Sequence, residues 1–163
     1  MSAPNIIMTR IDERLIHGQG QIWIKVLGCN TVIVANDSVA ESPVEQTLMK
    51  TVVPESVAVR FFPIQKVIDV IHKASPQQTI FLIIKNLDDA LKLVQGGVPI
   101  THINIGNIHN AEGKEKVTRS IFLGENDRAM LRTLINDYKV TFDTKTVPNE
   151  GNNSAEVDIN KFI

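Results

Sequence analysis

The chain has 163 residues, 43% hydrophobic and 21% charged, which suits one soluble domain with a core of useful size. Its 17 basic and 18 acidic residues leave a net charge of -1 and give no reason to expect nucleic acid as a partner. A single cysteine, Cys29, excludes an internal disulfide, and no apolar run approaches the ~20 residues that cross a bilayer, so a cytoplasmic protein is expected.

The N-terminus, MSAPNIIMTRIDE, has no basic region and reaches charge too soon for a signal peptide. Seven short runs rich in Val, Ile, Phe and Thr read as strands: 5–11, 31–36, 57–62, 79–84, 100–106, 120–123 and 139–144. Several are apolar throughout rather than alternating, as in strands covered on both faces. Helical patterns separate them. QIWIKVL (21–27) suits a short helix ending near Gly28. Residues 42–53 open with Ser42 as N-cap, Pro43 at the first position and Glu45 closing a capping box. Residues 64–74 set Val67, Ile68 and Ile71 on one face. Residues 86–95 start at Asn86 and stop at Gly96-Gly97, and 125–137 form the last helix. The alternation predicts an α/β fold: an open, mainly parallel sheet with helices on both faces. The chain reads as one domain over 1–163, with about 147–163 a loop-like tail.

In such sheets ligands bind beyond the carboxyl ends of the strands, where the strand order reverses. RIDERLIHGQGQ (10–21) follows the first strand and is the densest candidate. His17 sits there beside Gly18, a residue that admits backbone shapes closed to larger ones. Arg14 stands three residues before it, and Arg10 at the strand end faces the same crevice on this reading. Arginines near a helix N-terminus repel cations and suit an anion such as phosphate. Histidine is a competent covalent nucleophile. From spacing alone two readings stay open: a phosphoryl-carrying His17, and an ordinary surface or core histidine.

The other histidines are scattered at 72, 102 and 109, with no metal-ligand spacing, and no metal is expected. His72 reads as a solvated helix residue and His102 as a strand residue. His109, just past Asn107 at a strand end, is a secondary candidate. Asp37 either orients a histidine or caps a turn. Trp23 is core or an interface anchor. No GxGxxG, GxxxxGK[ST] or GxSxG pattern supports nucleotide binding or serine catalysis.

Three motifs, RIDERLIHGQ at 10–19, VAND at 34–37 and INIGNIH at 103–109, resemble the IIB components of the mannose/fructose/sorbose family of the bacterial sugar phosphotransferase system. The resemblance is strongest to members assigned to N-acetylgalactosamine and related amino sugars, and fades after about residue 145. It implies an α/β fold and a phosphoryl group received from a IIA protein. That group would be held on Nδ1 of His17 and passed to a sugar entering through membrane IIC and IID components. It implies that Arg14 neutralises the phosphoryl group with Arg10 as helper. Gly18, Gln19, Asp37, Asn107 and His109 are accessory positions. It requires no cofactor and places the chain in the cytoplasm, peripheral to the membrane. Gly20 departs from the apolar residue that family members often carry there. No pattern fixes an oligomeric state, and a homodimer is compatible with the chain. Two other classes stay open: a histidine-phosphatase-like hydrolase, and a non-catalytic anion-sensing α/β module.

Overall fold

The computed structural model describes residues 3–148 and 156–163. Six parallel strands form the main sheet: β1 (Ile6–Asp12), β2 (Thr31–Ala35), β3 (Ala58–Phe62), β4 (Ile80–Ile84), β5 (His102–Asn107) and, at one edge, the short strand Thr141–Asp143. Two further strands, β6 (Glu115–Thr118) and β7 (Ile121–Leu123), make a separate antiparallel hairpin, so the edge strand is β8. The strand order is β3-β2-β4-β1-β5-β8. The run at 120–123 is therefore a hairpin strand and not a member of the main sheet. Its partner EKVT was not expected, because a four-residue segment with one large apolar side chain carries no strand pattern.

The expectation of helices on both faces holds, and the alternation of side chains shows why. Val32, Val34, Phe81 and Ile83 point to one face, where they meet Trp23 and Ile24 of α1 (Gly20–Leu27) and Met49 of α3 (Pro43–Lys50). Ile33, Ala35, Leu82 and Ile84 point to the other. There they meet α4 (Ile64–Val70), α5 (Leu87–Gln95) and α6 (Glu125–Asn136). Strands β2 and β4 are buried at every residue, so their sequences need no polar alternation. A one-turn helix, α2 (Asp37–Ala40), follows β2.

The helix ends follow local chemistry. Ser42 accepts from the Glu45 N–H at 3.3 Å, and Asn86 accepts from the Asp89 N–H at 2.8 Å. Val67 and Ile71 are buried and Ile68 packs against the same cluster. Of the expected tail, residues 149–155 lie outside the described residues. Beyond them Ile159–Phe162 form a 3-10 turn, with Ile159 in the core and the Phe162 carbonyl accepting from Arg128 Nε.

The connection from β1 runs over the α1 face, and the one from β5 leaves by the hairpin and α6 on the opposite face. The chain thus parts between the carboxyl ends of β1 and β5 and leaves a crevice there.

Candidate active site

Buried neighbours set the shape of the loop after β1. Leu15 and Ile16 are inserted into the α1-side core, while His17, next in line, is exposed. Leu15 has φ +54, a left-handed conformation that costs a β-carbon-bearing residue about 1–2 kcal/mol and is held by that burial. A single 3-10 turn, Leu15–His17, follows, with the His17 N–H donating to the Arg14 carbonyl at 3.1 Å. Among the described residues the His17 ring has no hydrogen-bond partner. Its imidazole is open to a reactant from outside.

Gly18 has φ -77 and ψ -166, an ordinary conformation, so backbone freedom is not why glycine stands there. A β-carbon on Gly18 would overlap the Asp12 carboxylate, and close approach is the reason. The Gly18 N–H donates to the Leu15 carbonyl at 3.2 Å, whereas those of Gln19 and Gln21 have no acceptor among the described residues. Helix α1 starts here, so these free groups lie at its positive end.

Asp12 organises the arginines. It is fully buried at the end of β1 and accepts from the Arg14 N–H at 2.9 Å, from Arg14 Nε at 3.3 Å and from Arg10 Nη2 at 3.1 Å. Arg14 keeps 40% of its side chain exposed, and its Nη1 has no partner among the described residues. Arg10 differs from its expected place. It is wholly buried under the Trp23 ring, 5.5 Å from the centroid, with Nη1 donating to Asn104 Oδ1 and to the Lys145 carbonyl. Burial lowers its pKa and Asp12 opposes that shift. A β-carbon on Gly106 would overlap this guanidinium. Arg10 therefore meets the crevice only through Asp12.

The polar face continues across the sheet. Asn104 Nδ2 donates to Asp143 Oδ1 and to the Lys145 carbonyl, and the Lys145 N–H donates to Asp143 Oδ1 at 2.9 Å. Trp23 Nε1 donates to the Thr146 carbonyl at 3.1 Å, which draws the segment after β8 over the top. His109 does not line the crevice. Its backbone N–H and Nδ1 both meet Glu13 Oε2, at 2.8 and 2.7 Å, and so brace the loop after β1 against the end of β5. Asp37 also lies elsewhere: it accepts from the Ile64 N–H at 2.8 Å and caps α4, in keeping with the turn-capping alternative.

A cavity of about 260 Å³ opens at the loop after β1, lined by Arg14 and Gln19, which flank His17 in sequence, by Asn107 and by the hairpin turn Thr118-Arg119-Ser120, with Thr144 and Thr146 closing it; His17 itself is not among the lining residues. Among the described residues no carboxylate lines it, and Asn107 Oδ1 is buried without a hydrogen-bond partner. The two arginines suit an anion, and the free imidazole of His17 stands on the same loop as Arg14. A cavity of about 220 Å³ under α4 is mainly hydrocarbon around Ile33, Phe62, Val67 and Ile71 and has no such convergence. Among the described residues no group of His, Cys, Asp and Glu could hold a metal. The sequence reading passed over Asp12, Asn104, Asp143 and Arg119. A signal existed for the first, since positions 10 and 12 of one strand share a face.

A family model described as PTS system sorbose subfamily IIB component matches residues 6–162. The chain is 51% identical over 132 residues to the N-acetylgalactosamine-specific phosphotransferase enzyme IIB component 2 of Escherichia coli K12, covering 80% of this chain and 84% of that protein. It is 34% identical over 131 residues to the sorbose-specific EIIB component of Klebsiella pneumoniae, covering 79% and 80% respectively. The crystal structure of an N-acetylgalactosamine IIB component from Streptococcus pyogenes is similar at a TM-score of 0.96 and 61% identity, with both chains covered in full.

Proposed function

The chain belongs to the sorbose subfamily of phosphotransferase-system IIB components, which take a phosphoryl group from IIA and pass it to sugar, and from that premise we propose that His17 carries the group in transit. The observation that supports this most is the exposed, unpartnered imidazole on the loop whose Arg14 and Gln19 line a cavity with two arginines and, among the described residues, no carboxylate.

On this reading the lone pair of Nδ1 of a neutral His17 attacks the phosphorus of a donor phosphoimidazolium. The bond between phosphorus and the donor nitrogen breaks, and its electron pair stays on that nitrogen. The donor leaves as neutral imidazole and His17 becomes the phosphoimidazolium, so no net proton moves. The charge spread over the equatorial oxygens meets the guanidinium of Arg14 and the free N–H groups of Gln19 and Gln21. Asp12, backed by Arg10, fixes the orientation of Arg14, and Asn107 offers its amide to the same cavity. In the second transfer a sugar hydroxyl oxygen attacks the phosphorus, the bond to Nδ1 breaks with its electron pair staying on His17 as neutral imidazole, and the hydroxyl proton passes to a base or to solvent. The chain works as one domain on the cytoplasmic side with a IIA donor and membrane IIC and IID partners. N-acetylgalactosamine or a related amino sugar is the substrate the relatives' names favour.

Incubation with phosphorylated IIA tests this. The wild-type chain is expected to gain one acid-labile phosphoryl group and His17→Ala none. Full labelling of His17→Ala refutes the assignment. Hydrolysis of simple phosphomonoesters would instead favour the phosphatase class, and no phosphoprotein at all the sensing module.

A further inference from the structure

We propose that Arg119, on the turn between β6 and β7, is a second phosphoryl-binding arginine, closing on the group from across the crevice as it is transferred. This deepens the phosphocarrier reading and rests on it.

The hairpin is fixed where it can do this. The Ile108 N–H donates to the Ser120 carbonyl at 2.8 Å and the Phe122 N–H to the Ile108 carbonyl at 3.0 Å, which docks β7 on the chain leaving β5. The Ser120 N–H donates to Thr118 Oγ1 at 3.2 Å and tightens the turn. Arg119 is thereby held at the rim of the cavity that Arg14 lines from the loop after β1.

Of the six arginines, Arg60 and Arg119 alone have no ion pair among the described residues, and Arg60, away from this cavity, donates to the Val59 carbonyl at 3.1 Å. Arg10, Arg14, Arg128 and Arg132 each meet a carboxylate. Arg119 is exposed and has no ion pair or hydrogen bond among the described residues. Among the described residues no acid lines the cavity to satisfy it. A planar fork of donors suits the equatorial oxygens of a phosphoryl group. Arg14 is pinned by Asp12 and marks one position. Arg119 is unpinned and can follow the group along its path from donor nitrogen to His17. It forms no bond and takes no proton; it screens charge that is greatest midway.

Two measurements test it, on the full chain. In single-turnover transfer from phosphorylated IIA, Arg119→Ala is expected to slow the rate on the order of 10²-fold, as loss of one such donor does. The final stoichiometry on His17 should stay the same, Arg119→Lys should recover part of the rate, and the charge-matched control Arg60→Ala should keep all of it. In titration with inorganic phosphate followed by NMR, Arg119→Ala should weaken binding several-fold. If Arg119→Ala transfers at the wild-type rate, or binds phosphate as the wild type does, the proposal is overturned. If the wild type takes no phosphoryl group yet its phosphate binding depends on Arg119, the anion site stands and the carrier reading falls.

Discussion

Asp12 receives hydrogen bonds from two arginine side chains and one backbone N–H while wholly shielded from water. Removing one member of such a buried pair leaves the other charge uncompensated, which costs about 3–5 kcal/mol. Asp12→Ala should therefore lower the thermal midpoint sharply and slow phosphoryl transfer in the material that stays folded. Calorimetry and the labelling assay check the two effects separately. Gly18→Ala tests the same contact from above. Its added methyl must displace the Asp12 carboxylate or the loop, so transfer should fall even though φ -77 is open to alanine. At this scale the sequence offered His17 and Arg14 as candidates and little of the packing and hydrogen bonds around them. Arg10 was misplaced because its partners, Asn104 and Lys145, are 94 and 135 residues away, and nothing local announces them.

The elements were legible where one environment covers the whole element. IFLII and TVIVA are buried along their full length, and only a sheet covered on both sides makes that stable. The helix starts at Ser42 and Asn86 were legible because a cap is a local bond. Short elements, α2 and β6, were not, since four residues are too few to show a period. Asp37 belongs to this scale. Pro63, at the N-cap of α4, offers no side-chain acceptor, and Asp37 supplies one from the end of β2. Asp37→Ala should cost about 1 kcal/mol, as losing a cap does. It should leave the rate of phosphoryl transfer unchanged, and a denaturant melt beside the labelling assay separates the two.

For the molecule as a whole, strand–helix alternation predicted the class of sheet. It did not predict the strand order, which depends on crossings that no pattern encodes. Nor did it predict that the α1-facing side of β1, β5 and β8 is a buried polar layer rather than hydrocarbon. Cys29 reports on the global state. It is 4% exposed and burial raises its pKa, so little reactive thiolate forms in the native chain. Alkylation should be slow in buffer and rise with the unfolded fraction across a denaturant series, as read by intact mass.

The Lys145 carbonyl that closes over Arg10 lies beyond β8, the last strand added to the sheet. The imidazole, both arginines and their shared acid lie within residues 10–17, so during synthesis they emerge well before the carbonyl that covers that buried guanidinium. A nascent chain stalled at α6 would already display the histidine on an unfinished foundation, with the segment after β8 still to come as its keystone.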